Sequence, residues 1–240
     1  MKSKKVLSKR MTFILMVAPA LILFIAFNTI PLITGAFYSF TNYKGYGSFE
    51  FVGLRNYIDL FSDARVGNSY LFTFKYAIVG TVLVNVISLL LALGLNSKIK
   101  FKSALRGVYF LPNVLGGLVV GYIFSFIFTY IIPTIGSALH INFLENSILA
   151  GEETAWIGVL IVGVWQAVAM NTIIYISGLQ TIPTDIYEAG MIDGVTPWQK
   201  FRHLTLPMLM PFVTTNLVLS TKNMLMVFDQ IMALTKGGPA

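Results

Sequence analysis

The sequence predicts an all-α fold, a polytopic membrane bundle of about five transmembrane helices with its N-terminus in the cytoplasm. Three observations predict it. Of 240 residues, 56% are hydrophobic and 11% charged, and the mean hydropathy is +0.76. Apolar runs recur at 11–33, 76–95, 108–132, 155–179 and 208–232, close to the ~20 residues that cross a bilayer's hydrocarbon core. The cations between the runs fall unevenly on alternate sides. One side holds Lys2, Lys4, Lys5, Lys9, Arg10, Lys98, Lys100, Lys102, Arg106, Lys200 and Arg202, and the other Lys44, Arg55, Arg65 and Lys236. The richer side is cytoplasmic by the positive-inside rule.

Taken in order, the first run follows the basic N-terminus. Ala18-Pro19-Ala20 resembles a signal cleavage site, but the run continues well past it, so an uncleaved first span is predicted. Segment 34–70 is then a long external loop, and the aromatics and Asn residues in Tyr38–Tyr43 and Phe51–Tyr57 suit a membrane interface. The second run carries Asn85. The loop at 139–153 carries Glu145, Glu152 and Glu153 and reads as a solvated face. The fourth run holds Trp165, Gln166 and Asn171. The fifth holds Thr214, Thr215, Asn216, Ser220, Thr221, Lys222 and Asn223.

Between the fourth and fifth runs lies a cytoplasmic loop at 181–207, which reads as helix, turn, helix. Pro183 suits the first helical position, and Asp185 suits the positive end of the helix dipole. Gly194 is a stop, and Thr196-Pro197-Trp198-Gln199 is a capping box. The second helix is expected to end or kink near Pro207, so that two short helices meet at a glycine hinge.

Glu188-Ala189-Gly190, Gly194 six residues after the Glu, and Leu204-Thr205-Leu206-Pro207 resemble the EAA loop of permease subunits from binding-protein-dependent ABC importers. The spacing is complete; Gly190 stands where the family has a second Ala, and Leu204 where it has Ile. The Ser-Phe-Thr and Val-Gly-Leu-Arg-Asn-Tyr segments of the external loop, Phe110-Leu111-Pro112, and Gly237-Gly238-Pro239 resemble the sugar branch of that family, of the maltose/glycerol-phosphate type. The resemblance implies a single transmembrane domain over 1–240, whose loop at 181–207 docks on an ATPase. Glu188, Ala189, Gly190, Gly194, Leu204, Leu206 and Pro207 are its coupling residues. It further implies a second permease subunit, two ATP-binding subunits, an extracytoplasmic solute-binding protein and a carbohydrate substrate, in a bacterial-type cell membrane. The family has a sixth span beyond the glycine–proline segment, so the resemblance implies that the chain is C-terminally truncated.

No phosphate-binding glycine loop is present. The predicted topology places His140 and His203 on opposite sides of the membrane. No catalytic set, metal site or cofactor is predicted, and the absence of Cys excludes thiol chemistry. The net charge of +7 sits at span ends rather than in a basic patch, which argues against nucleic acid.

A sugar needs hydrogen-bonding and stacking groups, and polar side chains inside spans are costly towards lipid. Asn85, Trp165, Asn171, Thr215, Asn216 and Lys222 are therefore the candidates for a substrate pathway. Helix–helix adhesion, at about 1 kcal/mol or less per bond, is the competing use of such residues. Lys222 and Asp229 are seven positions apart, roughly 10 Å along a continuous helix, too far to pair unless the helix breaks. The rival functions are an ion-driven secondary transporter and a membrane scaffold without transport.

Overall fold

The structure, a computed structural model, describes residues 2–96, 107 and 111–237. The basic residues at 98–106, the expected start of the third run at 108–110, and residues 238–240 lie outside the described residues. The chain forms two compact units, Met1–Ser69 and Tyr70–Ala240. Among the described residues, five helical stretches are long and apolar enough to cross a membrane: Met11–Tyr38, Ala64–Asn96, Gly117–Ala138, Glu153–Thr181 and Pro197–Leu225.

The first unit begins with α1 (Lys2–Phe24) and α2 (Ile30–Tyr38), joined through a π-helical turn at Ile25–Thr29. After α2 the chain forms a small aromatic knot. Tyr38 stacks on Tyr43 at 4.2 Å between ring centroids, Phe49 meets Tyr38 edge-on at 5.4 Å, and an isolated antiparallel bridge joins Thr41 to Phe51. A short helix, α3 (Arg55–Ser62), is tied back to it. Asn56 Nδ2 donates to Ser39 O and Thr41 O at 2.9 and 2.8 Å, and the Tyr57 and Ser39 hydroxyls lie 2.7 Å apart. Only Asp63 separates α3 from α4 (Ala64–Asn96). Its carboxylate accepts from Arg65 N at 2.9 Å and from the Arg65 guanidinium at 2.8 Å. The Arg65 side chain, with its backbone N–H second, holds the Asp63 carboxyl below the usual carboxylate range.

The second unit is built on three long helices: α4, α7 (Glu152–Thr181) and α10 (Leu206–Leu225). Shorter ones complete it: α5 (Gly117–Phe126), α6 (Ile132–Ala138), α8 (Thr184–Ile192), α9 (Pro197–Gln199) and α11 (Asp229–Thr235). One apolar cluster gathers Tyr76, Val84, Val120, Val159, Val162 and Met224. A second gathers Ala92, Leu95, Tyr175, Ile176, Leu179, Ile182 and Leu209 towards the 181–207 loop. Small residues set the helix spacing, as membrane packing requires. A Cβ on Gly178 would meet the Phe212 ring at 2.6 Å, and one on Gly121 would overlap Ala233 Cβ.

Among the described residues the chain passes three times through a π turn, and each time a proline follows one residue later. The residues just before Pro31, Pro133 and Pro207 donate five positions back: Ile30 to Ile25 O, Ile132 to Ile127 O, and Leu206 to Phe201 O. A helical proline collides with the carbonyl four residues earlier. Widening the preceding turn moves that carbonyl aside and keeps the helix running. Of the two outcomes expected at Pro207, an end or a kink, the end is excluded, and the helix is not short: the segment from Pro197 continues to Leu225, with the widened turn just before Pro207.

The fifth run is also corrected. It does not continue to 232, because Met226 and Phe228 leave helical geometry and end α10. The chain then folds α11 against α5, with Asp229 beside Gly117 and Ala233 beside Gly121. The helix thus breaks between Lys222 and Asp229, yet the two form no ion pair.

Candidate functional site

The 181–207 segment forms two helical pieces around a tight stop. Pro183 is the N-cap of α8 rather than its first residue, and Asp185 lies in its first turn. Asp193 closes the helix, and Gly194 follows at φ +68. Gly194 N–H donates to Met191 O at 3.2 Å and Val195 N–H to Gly190 O at 3.1 Å, the paired bonds of a Schellman stop, whose left-handed residue favours glycine. Both halves of the capping box then form: Gln199 N–H donates to Thr196 Oγ1 at 3.4 Å, and Thr196 N–H to Gln199 Oε1 at 2.8 Å.

What fixes α8 to the base of α10 was not visible in the sequence. The Tyr187 hydroxyl lies 3.2 Å from Thr205 Oγ1, and Lys200 Nζ sits 4.3 Å above the Tyr187 ring. Gly190 is buried with Leu204 Cδ1 2.8 Å and Val195 Cγ2 3.1 Å from where its Cβ would be. Glu188 and Ala189 are exposed beside it. Met191, Ile192 and Trp198 also present large apolar side chains to the outside, Ile192 being 87% exposed. Sequence reasoning missed these three. An apolar side chain standing out of an otherwise polar loop is the signal that could have found them.

Five of the six candidate pathway residues divide into two sets. Asn85, Asn171 and Asn216 are buried together where α4, α7 and α10 meet. Asn85 Nδ2 donates to Thr81 O at 2.8 Å and Ser220 Oγ at 2.9 Å, and its Oδ1 accepts from the Tyr175 hydroxyl at 2.8 Å. Asn216 Nδ2 donates to Asn171 O at 3.1 Å, and Ser220 Oγ donates to Asn216 O at 2.6 Å. Tyr175 and Ser88, the latter donating to Val168 O at 3.3 Å, complete this polar seam.

Thr215 and Lys222 are exposed on the other side of α10, on a stripe with Thr214, Val218, Thr221 and Leu225. Thr215 Oγ1 donates back to Pro211 O at 2.9 Å, so its lone pairs face outward. Lys222 and Thr221 line an open depression of about 550 Å³ where the helix breaks. Trp165 stands apart from both sets. Its ring lies 5.1 Å from Phe124, and it edges an apolar groove of about 710 Å³ that also includes Leu111 and Pro112. Lys75 finds a partner in the Trp156 ring, 4.1 Å away.

Residues 84–234 match the family described as binding-protein-dependent transport system inner membrane component. The multiple sugar-binding transport system permease protein MsmF of Streptococcus mutans is 42% identical over 240 residues, which is 100% of this chain and 82% of that protein. The probable starch degradation products transport system permease protein AmyD of Thermoanaerobacterium thermosulfurigenes is 38% identical over 238 residues, 99% of this chain and 81% of that protein. Among solved structures, a bacterial ABC transporter involved in the import of the acidic polysaccharide alginate superposes with a TM-score of 0.83 at 19% identity. That match covers 100% of this chain and 82% of the other.

Proposed function

The chain belongs to the binding-protein-dependent transport system inner membrane components and is a permease subunit of an ABC importer; from that premise we propose that its cargo is a carbohydrate and that the 181–207 loop couples its movement to ATP hydrolysis on partner subunits. Carbohydrate cargo is supported by relatives whose names specify sugars and starch degradation products. The proposed assembly has a second permease, two ATP-binding subunits and an extracytoplasmic solute-binding protein.

The observation that carries the coupling reading is the pinning of α8 to the start of α10 through Tyr187, Thr205 and Lys200. A helix held on two sides moves as a body with the span it touches, so displacement of α8 is passed to α10 rather than absorbed in a loop. In this reading Glu188 and Ala189 form the docking edge, with Met191, Ile192 and Trp198 as apolar anchors in a groove of the ATPase. Gly190 lets Leu204 close over α8, Gly194 makes the stop, and Leu206-Pro207 carry the continuation into the span.

The pathway side of α10 is the stripe holding Thr215 and Lys222, where a charge towards lipid is costly and a hydrated cavity or partner chain is not. Trp165 offers a ring edge at a separate groove. Asn85, Asn171 and Asn216 hold the wall behind that stripe.

The test is ATP-driven uptake of a panel of labelled sugars by the reconstituted complex. Wild type is expected to take up at least one oligosaccharide with ATP and none with an ion gradient alone. Glu188→Lys should lower both uptake and binding-protein-stimulated ATPase while membrane insertion is retained. Normal stimulated ATPase in that variant would refute the coupling role.

A further inference from the structure

The segment between the first two candidate spans contains a short helix, α3, whose two faces differ sharply. Leu54, the residue that caps it, Ile58 and Phe61 recur at helical spacing on one side and are 62%, 63% and 84% exposed. Tyr57 flanks that stripe. Roughly a quarter turn away lie Arg55, Asp59 and Ser62; Arg55 Nε reaches Asp59 Oδ2 at 3.9 Å within the helix. An eight-residue helix with this division cannot cross a bilayer, but it can lie in the plane of one.

Its tethers limit what can cover the apolar stripe. At its N-terminal end Asn56 and Tyr57 bond to Ser39 and Thr41, immediately beyond the last residue of the first candidate span, Tyr38. At its C-terminal end, Asp63 alone intervenes before the second candidate span begins at Ala64, and that junction is held by the Asp63–Arg65 bonds. Both ends of α3 are therefore fixed at the mouths of membrane spans. The aromatic knot beside it, with Tyr38, Tyr43 and Phe49, has the composition found at headgroup level.

We infer that α3 is an interfacial anchor, lying along the membrane surface with Leu54, Ile58 and Phe61 sunk into the acyl–headgroup boundary and Arg55 and Asp59 towards water. It would fix the level of the segment that follows the first span at the bilayer surface. The inference needs only that the chain is membrane-embedded, not that it carries a sugar or couples to ATP.

Because the chain has no Cys, single cysteines can be placed on it cleanly. Nitroxide labels at Ile58→Cys, Phe61→Cys, Arg55→Cys and Asp59→Cys would be read by electron paramagnetic resonance in the assembled complex in lipid nanodiscs. Collision with oxygen reports lipid, and collision with a water-soluble nickel chelate reports solvent. The ratio of oxygen to nickel accessibility at 58 and 61 should exceed that at 55 and 59 by severalfold, with or without the solute-binding protein. Equal nickel access at all four positions would overturn the inference. So would protection at 58 and 61 that appears only when the solute-binding protein is added, since that would make the stripe a protein-docking face. Failure of sugar uptake by the same complex in sealed proteoliposomes would bear on the transport proposal and leave this reading intact.

Discussion

Asn85 joins three helices through one amide, so its removal has a calculable cost. It makes two bonds between helices, one to Ser220 and one from Tyr175. Such bonds average about 0.6 kcal/mol in membrane proteins and reach about 1.7. The two partners are not equally dependent on it. Ser220 keeps its bond to Asn216 O, whereas the Tyr175 hydroxyl, on a side chain only 1% exposed, loses its acceptor. A buried polar group left unpaired costs about 1–3 kcal/mol. Asn85→Ala is therefore expected to destabilise the assembled protein by about 2–3 kcal/mol, and Tyr175→Phe, which leaves the buried Asn85 Oδ1 without its partner, by about 1–3 kcal/mol. The double variant should fall short of the sum by about 1 kcal/mol, because the shared bond can be lost only once. The assay is reversible unfolding in mixed detergent–dodecyl sulfate micelles, with sugar uptake measured per assembled complex. Uptake per complex should be retained in Tyr175→Phe. Additivity to within about 0.3 kcal/mol would refute the reasoning, as would loss of uptake at unchanged stability, which would move Asn85 from the wall into the pathway.

Three further outcomes follow from the geometry. Gly194→Asn should leave stimulated ATPase within about twofold of wild type, whereas Gly194→Val, a β-branched residue forced to positive φ at a cost of about 1–3 kcal/mol, should lower it severalfold at equal complex yield. Gly190→Ala meets two side-chain methyls, Leu204 Cδ1 and Val195 Cγ2, and should keep most uptake, while Gly190→Leu should prise α8 from α10 and uncouple ATPase activity from transport. Lys222→Leu should reduce uptake several times more than it reduces complex yield; equal losses in both would make Lys222 a packing residue.

The candidate spans and the 181–207 loop were legible because hydropathy and capping chemistry are local. Five apolar runs became five candidate spans, the Thr196 box formed as its side chains dictate, and the stop formed at Gly194, whose missing Cβ permits positive φ. The end of the fifth run was not legible. Hydropathy does not distinguish an apolar break at 226–228 from continued helix, and what places α11 is Ala233 fitting against Gly121, a contact between residues distant in sequence. The polar residues of the spans were legible as a set but not as two sets. Asn216 and Thr215 are neighbours in the chain, and a turn of about 100° separates the buried seam from the exposed stripe. Sequence shows the amide; only the packed helices show which way it faces. The pin at Tyr187 was invisible for the same reason, since its partners lie 13 and 18 positions away.

The widened turns before Pro31, Pro133 and Pro207 have a consequence for how such chains can diverge. Each turn takes in one residue more than an α-helical path over the same rise, so everything downstream is rotated by about 100° relative to an uninterrupted helix. A relative that exchanges the proline for another residue, and lets the turn relax, would present the wrong side of the following span unless one residue were also removed nearby. Proline and a single-residue gap are thus a linked pair of characters at these three places. Ahead of Pro207, where α8 is pinned on one side of the turn and the Thr215–Lys222 stripe lies on the other, an alignment that slides through without a gap would pair residues that face about 100° apart.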